Sequence, residues 1–247
     1  IRATNGLGLF SNGIEIMEGS EGTHSLGNMT VRADQTWSNA SANVFSLVGY
    51  IKGPYNVSKS GVGRIHIAGN EENNFHWSGS MTVAQGPLSI GARKSLGTNT
   101  VNAWTAVQPG GALELRPTGA TTYFVESLRL AGTGVTNDGA LRNVQYNNTW
   151  PGAITLTSTA RINADTNTTL TLTGGINATN APHNLFLGGA GGIVVTNLGI
   201  GTNVLDLVKD GTGTATLSRA TAHAGATLVS NGMLRLLLAN AVPTQTF

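Results

Sequence analysis

Residues 207–236 read LVKDGTGTATLSRATAHAGATLVSNGMLRL, and the pattern of this stretch predicts the fold of the chain. Its apolar residues fall on one parity, as in Ala215 and Leu217, and glycines such as Gly211 and Gly213 interrupt them. Alternation of period two, broken by glycine, is typical of short β-strands joined by tight turns. The stretch therefore predicts strands and turns without an α-helix.

A second stretch, residues 57–90, repeats the same pattern: VSKSGVGRIHIAGNEENNFHWSGSMTVAQGPLSI. Alignment of the two copies pairs one lysine and four glycines of each. The pairs are Lys59 with Lys209, Gly61 with Gly211, Gly63 with Gly213, Gly79 with Gly225 and Gly86 with Gly232. The first copy carries extra residues around Asn70 to Asn74, where we expect a loop. An internal repeat is stronger evidence of architecture than any single motif.

The two copies resemble the autotransporter-associated β-strand repeat of bacterial surface proteins. The shared pattern is an apolar residue, Lys, Gly-x-Gly, an alternating apolar pair, an aromatic residue or His, and further glycines. The resemblance implies a right-handed parallel β-helix with essentially no α-helix. It also implies export and display outside the bacterial cell. Repetition favours one continuous β-solenoid over residues 1–247, with its strong copies at 57–90 and 207–236.

A β-sandwich or a β-barrel would also show short, regularly spaced strands. Two features favour the solenoid: the repeat is long, and its glycines recur at equivalent strand and turn positions. No window keeps the helical spacing of apolar residues. If a coil takes about 20 to 25 residues, the chain makes about ten or eleven turns, and a spacing of roughly 4.8 Å gives a rod of about 50 Å.

Composition excludes several classes of protein. Charged residues make up 11% of the chain, and the 14 basic residues are scattered, so no nucleic-acid-binding surface is predicted. No run of 18 apolar residues exists that would predict a membrane span. The absence of cysteine excludes disulfides and thiolate metal sites. Because both ends fall inside the repeat pattern, we expect a processed product or a segment of a longer chain.

Candidate catalytic carboxylates are dispersed along the sequence. Only Glu71 and Glu72 are adjacent, and we interpret them as solvated residues of the extra loop. The other acids considered are Asp34, Asp138, Asp165, Asp206 and Asp210. Three or more carboxylates on one face would favour an enzyme acting on polysaccharide. With no nucleophile motif either, we assign no catalytic residue and no cofactor.

The paired lysines, Lys59 and Lys209, lie on the apolar parity of their strands. One interpretation is a paired basic site for an anionic glycan. The other is structural: each stem lies over a turn, with the ammonium group on free carbonyls at the corner of the solenoid. The structural interpretation is favoured because the lysine accompanies Gly-x-Gly in both copies.

Histidines and tryptophans offer weaker signals. His66 and His76 lie on the outward parity and would bind a metal only with a third ligand, so no metal site is predicted. His223 is expected to pack at a turn. Trp77 and Trp150 are expected to pack in the interior. Exposed Trp37 or Trp104 would favour sugar binding; these are the two tryptophans that the sequence leaves undecided.

The sequence thus predicts a non-enzymatic, extracellular structural protein, a β-helical rod on the bacterial surface. Its partners would be a second copy stacked head to tail, forming a fibre, or further repeats of a longer chain. Two alternatives remain. One is an adhesin that binds surface polysaccharide, and the other is a polysaccharide-acting β-helix enzyme.

Overall fold

The computed structural model describes residues 7–9, 13–69, 76–97, 103–123 and 125–244, and these residues contain strands and turns but no helix. No membrane-spanning helix is therefore present among them. The strands are β1 (Leu7–Leu9), β2 (Ile14–Ile16), β3 (His24–Leu26), β4 (Met29–Val31), β5 (Gln35–Asn39), β6 (Phe45–Leu47), β7 (Ile51–Gly53), β8 (Val57–Ser60), β9 (Ile65–Ile67), β10 (His76–Trp77), β11 (Met81–Val83), β12 (Gly86–Ile90), β13 (Trp104–Val107), β14 (Gly111–Leu115), β15 (Ser127–Gly132), β16 (Leu141–Asn143), β17 (Asn147–Trp150), β18 (Ile154–Ala164), β19 (Thr169–Leu172), β20 (Ile176–Ala178), β21 (His183–Gly189), β22 (Gly192–Val195), β23 (Val204–Lys209), β24 (Thr214–Leu217), β25 (Thr227–Val229) and β26 (Met233–Leu236).

The strands form three faces of a parallel β-solenoid, because each strand pairs in parallel with the strand one turn away. The first face holds β2, β5, β8, β11, β13, β15, the first half of β18, and β20. The second holds β3, β6, β9, β12, β14, β16, the second half of β18, β21, β23 and β25. The third holds β1, β4, β7 and β10, then β17, β19, β22, β24 and β26.

The described residues make about nine turns of the solenoid, fewer than the ten or eleven predicted for all 247 residues. Turns differ in length. Leu47 lies opposite Ile67, 20 positions on, whereas Leu115 lies opposite Asn143, 28 positions on. At roughly 4.8 Å a turn, nine turns give a rod of about 43 Å.

Inward side chains stack in columns, one from each turn. On the second face one such column is wholly buried: Ile65, Leu88, Leu113, Leu141, Ile162 and Leu187. Burial of each aliphatic side chain stabilises the fold by about 1.5–3 kcal/mol. Alternation in the sequence therefore becomes an apolar interior continuous from turn to turn.

The two repeat copies fold alike but occupy different faces. The lysine strand of the first copy, Val57–Ser60, belongs to the first face, whereas that of the second, Val204–Lys209, belongs to the second face. Ile65, Ile67, Ala215 and Leu217 all point inward, as predicted. The copies are therefore equivalent strand–corner–strand units, displaced by one face around the solenoid axis.

Glycine is required at the first residue of each lysine corner. Gly61 and Gly211 have φ angles of 75° and 76°, in the left-handed region that disfavours other residues. A Cβ at either position would also overlap the backbone of the preceding turn, at Asn39 and Gly189. Stacked turns thus leave no room for a side chain at these corners.

Candidate functional site

Both motif lysines are buried in corners of the solenoid. Lys59 is fully buried, and its ammonium donates to the carbonyls of Gly61 and Gln85, each at 2.6 Å. Lys209 is 2% exposed and donates to Asp210 at 2.7 Å and Gly211 at 2.8 Å. These are the carbonyl contacts that the structural interpretation predicted. The alternative, a paired basic site for a glycan, is wrong because neither ammonium group reaches the surface.

The remaining motif glycines lie at points of close contact between turns. At each of them a Cβ would come within 3.0 Å of an atom of a neighbouring turn. These residues are Gly63, Gly79, Gly86, Gly213, Gly225 and Gly232. The motif residues therefore shape corners and turn contacts.

A row of polar side chains follows the outside of the second face, one residue from each turn. We call this row the outer ladder, and its members are Ser46, His66, Ser89, Glu114, Arg142 and Asn163. Parallel register places successive members roughly 4.8 Å apart. The ladder therefore brings together residues that are up to 117 positions apart in sequence, from 46 to 163.

Glu114 is the electrostatic centre of the ladder. Its carboxylate is buried and accepts hydrogen bonds from Arg64 Nε (3.0 Å), Arg116 Nε (2.7 Å) and the Ser89 hydroxyl (2.8 Å). Burial by itself raises the pKa of Glu114, but hydrogen bonds and charges from Arg64 and Arg116 outweigh it and lower the pKa below its ordinary value. Glu114 is therefore ionised and holds both guanidinium groups in place.

Two ion pairs on this side of the rod, Arg64–Glu114 and Arg161–Asp210, each join residues that lie two turns apart, and we call them arginine clamps. Arg161 donates to both carboxylate oxygens of Asp210, at 2.7 and 2.5 Å, and the two residues lie two turns apart. Gly188 occupies the turn between them, where a Cβ would overlap the ion pair. Arg64 likewise reaches over the small Ser89 to Glu114. A small residue in the middle turn allows arginine to bridge three turns.

Three carboxylates lie close together around Arg142, on the outside of the second face. Arg142 is paired with Asp138 and, through Nε and Nη2 at 2.9 Å, with Asp165, while Glu114 lies 3.9 Å from its Nη1. The positional criterion set for an enzyme, three or more carboxylates on one face, is thus met. Each of these carboxylates nevertheless hydrogen-bonds to a guanidinium group and is therefore engaged in an ion pair.

The other predicted acids are dispersed. Asp34 accepts a hydrogen bond from the backbone of Asn56, and Asp206 accepts one from the backbone of Ala226, each in the next turn. Glu71 and Glu72 lie outside the described residues. Asp34 and Asp206 therefore add nothing to the carboxylates around Arg142.

A groove crosses the outer ladder beside Glu114. It encloses about 480 Å³, within the range of small-molecule sites. Its lining is Val44, Arg64, His66, Arg116, Pro117, Thr118, Gln145 and Tyr146. Arg64 and Arg116 carry two positive charges, and the buried Glu114 carboxylate beneath them carries one negative charge. The lining of the groove therefore carries two positive charges and no negative charge, together with the aromatic side chain of Tyr146.

The predicted histidines do not converge. His66 lies on the second face and His76 on the third. Burial lowers the pKa of His66, and the guanidinium groups of Arg116 and Arg64 add to this effect, so its imidazole is neutral at pH 7. Across the described ranges, no group of three or more His, Asp or Glu side chains is arranged to hold a metal ion. His223 is buried between the hydroxyls of Thr221 and Thr227, in agreement with packing at a turn.

Tryptophans are mostly interior residues. Trp77 and Trp150 are buried, as predicted, and Trp37 is buried as well. Trp104 is half-buried, and the guanidinium group of Arg129 lies 4.4 Å from its ring centroid. The tryptophan-lined surface that would favour sugar binding is therefore not formed by Trp37, and Arg129 covers Trp104.

Glu126 is a buried carboxyl group that the sequence did not single out. It is 5% exposed, accepts a hydrogen bond from the Thr105 hydroxyl at 2.9 Å, and burial raises its pKa to about 7. The adjoining cavity, lined in part by Tyr123 and Trp150, holds only about 10 Å³. That space suits about one water molecule, so Glu126 faces no ligand-sized cavity.

The groove at Arg64 and Arg116 is thus the candidate site with the strongest geometry, and sequence reasoning missed it. Alternation around Leu113 and Leu115 does place Glu114 outward, but its partners follow only from the register of distant turns. Comparisons of the chain with protein-family models, with curated proteins and with solved structures each return no match.

Proposed function

We propose that this chain is a non-enzymatic structural protein of the bacterial cell surface, a β-helical rod that stacks head to tail on further copies. The proposal unites the solenoid with the resemblance of both repeat copies to the autotransporter-associated repeat. The observation that carries it is the contrast between the two ends of the rod. One described end presents exposed apolar side chains, and the other presents a cavity lined by four apolar and four polar residues.

The last turn is apolar and exposed. Val229 is 51% exposed and Leu236 is 43% exposed, although both continue columns whose members in the preceding turn, Lys209 and Leu217, are buried. Within the described residues, β25 pairs only with β23, and β26 pairs only with β24. Unpaired N–H and C=O groups on such an edge form a template for another strand. An additional turn would cover both the edge and the apolar side chains.

The first described turn offers a complementary surface. A cavity of about 350 Å³ opens there, lined in part by Ile14, Ile16, Leu26 and Phe45. Contact between a first turn and a last turn is heterologous, so it propagates along the axis rather than closing into a dimer. A second copy of the chain therefore satisfies both ends at once.

Assembly is tested by the variant Val229→Asp, which places a charge on the exposed edge. The control is Val62→Asp, since Val62 is 62% exposed at a corner on the side of the rod. Sedimentation at increasing protein concentration, with electron microscopy, is expected to show filaments for the parent and for Val62→Asp, and single rods for Val229→Asp. Single rods of the parent at every concentration would contradict stacking of copies and favour coverage by further repeats.

Glycan binding is a second candidate function, favoured by the cationic groove on the outer ladder. The groove lies on the side of the rod, so stacking at the ends leaves it accessible. The engagement of Glu114, Asp138 and Asp165 by arginine supports binding over catalysis. We expect no release of sugar from polygalacturonate, with or without calcium. Cleavage that disappears in Asp165→Asn would overturn the non-enzymatic proposal.

A further inference from the structure

We propose that the groove formed by Arg64, Arg116 and Tyr146 binds an acidic saccharide, with a uronate carboxylate on the two arginines. This inference deepens the second candidate function and does not depend on head-to-tail assembly. It names the ligand class and the residues that bind it.

The two arginines are held ready for an anion. Their side chains are 30% and 26% exposed, and both point an Nε–H at the same buried carboxylate, Glu114. Arginine has five N–H donors in a planar fork. Described hydrogen bonds use two donors of Arg64 and one of Arg116, all on Glu114. The remaining donors are available to a ligand, and their orientation is already fixed by Glu114.

Charge in the groove favours an anionic ligand over a neutral one. Two guanidinium groups face one buried carboxylate, and His66 is neutral. The remaining lining residues are uncharged. Arg142, the next cation along the ladder, is paired with Asp138 and Asp165, and neither carboxylate lines the groove. A carboxylate ligand would meet the unused donors of Arg64 and Arg116 in bidentate hydrogen bonds of the kind that arginine favours.

The walls of the groove suit a sugar ring. Tyr146 is 51% exposed and presents both an apolar ring and a hydroxyl, the combination that amphipathic ligands use. Its backbone has a φ angle of 59°, and the Asn143 side chain fixes it by a hydrogen bond to the Tyr146 carbonyl at 2.9 Å. Thr118 and Gln145 add exposed polar side chains for sugar hydroxyls. A bare inorganic anion would leave this wall unused.

Binding is tested by calorimetry with a galacturonate hexamer, with a neutral hexose hexamer and with sodium sulfate. We expect binding of the acidic hexamer that weakens as salt is raised, and no measurable binding of the neutral one. Arg116→Gln is expected to weaken binding at least about tenfold, and Arg116→Lys by less, because lysine keeps the charge and loses the fork. The control is Arg129→Gln, which removes the same charge from the first face.

Four results would overturn the proposal. They are no binding of the acidic hexamer to the parent, equal binding of the neutral hexamer, equal loss in Arg129→Gln and Arg116→Gln, and full displacement by sulfate at matched charge concentration. Melting curves and electron micrographs of each variant accompany the titrations. They separate loss of fold or of assembly from loss of binding.

Discussion

The two repeat copies share one sequence pattern but differ in what covers them. Val83 is buried in the first copy, and its counterpart Val229 is 51% exposed in the second. Ile90 is buried, and its counterpart Leu236 is 43% exposed. The first copy has turns on both sides, whereas the second forms the last described turn. In a solenoid, therefore, the sequence pattern specifies whether a residue faces inward, and the neighbouring turn determines whether that residue is buried.

The two lysine corners also differ, in the charged groups that lie near each lysine. Burial lowers the pKa of Lys59 to about 7, and the nearby Arg64 guanidinium adds to this effect while Glu114 opposes it. Burial also lowers the pKa of Lys209, but there Asp210 opposes the change. The pKa values of the two motif lysines are therefore influenced by different charged neighbours, Arg64 and Glu114 at Lys59 and Asp210 at Lys209.

The largest expected effect comes from a charge at the matched valines. Val83→Asp puts an unpaired carboxylate in the interior and should lower the free energy of unfolding by several kcal/mol. Val229→Asp should change it by less than about 0.5 kcal/mol, since the site is exposed in a single rod. Urea unfolding of both variants, at concentrations where the parent is a single rod, measures the difference. Equal losses would show that Val229 is covered in solution.

A smaller difference is expected between Lys59→Met and Lys209→Met. The first leaves the carbonyls of Gly61 and Gln85, which lie between stacked turns, without their donor, and this should cost about 1–3 kcal/mol at pH 9. The second should cost less, because Asn231, which accepts from Lys209 at 3.2 Å, lies in the last described turn, where no described turn covers it and water can replace the ammonium group. Thermal melting at pH 9 compares the two. A greater loss for Lys209→Met would contradict the role assigned to solvent.

The smallest expected effect, compared over a single pH unit, is a difference in pH dependence. The pKa of Lys59 in the fold, about 7, lies below the value of about 10.4 for an exposed lysine. The unfolded chain therefore binds more protons between these values, and the free energy of unfolding rises with pH through this window. Relative to Lys59→Met, the parent should gain at most about 1.4 kcal/mol for each pH unit from 7 to 10.

Chemical unfolding of the parent and of Lys59→Met at each pH tests this slope, and Lys209→Met is the matched control. Titration of all other groups is common to the three proteins, so it cancels in the differences. Parallel curves for the parent and Lys59→Met would mean that the Lys59 ammonium keeps an ordinary pKa.

Sequence patterns predicted the corners better than the surface. Lys59 and its glycines could be interpreted locally, because a lysine two positions before Gly-x-Gly meets carbonyls of its own corner. The surroundings of Glu114 could not be interpreted locally. Of its arginine partners, Arg64 comes from an earlier turn, Arg116 follows Glu114 by two residues, and Arg142 comes from a later turn. Asp138 and Asp165 were named individually, but Glu114 was not, and nothing in their spacing placed the three on one face.

Alternation and glycine placement were sufficient to specify short strands, tight corners and an apolar interior, because these features depend on residues close in sequence. The parallel stacking of the strands was predicted from the long repeat and its resemblance. Which face each strand joins, and which outward residues become neighbours, depends on connections that lengthen a turn from 20 to 28 residues. A change of a few residues shifts a strand to another position in its turn, and the local pattern stays the same. The outer ladder, its arginine clamps and its groove therefore exist only once the turns are stacked.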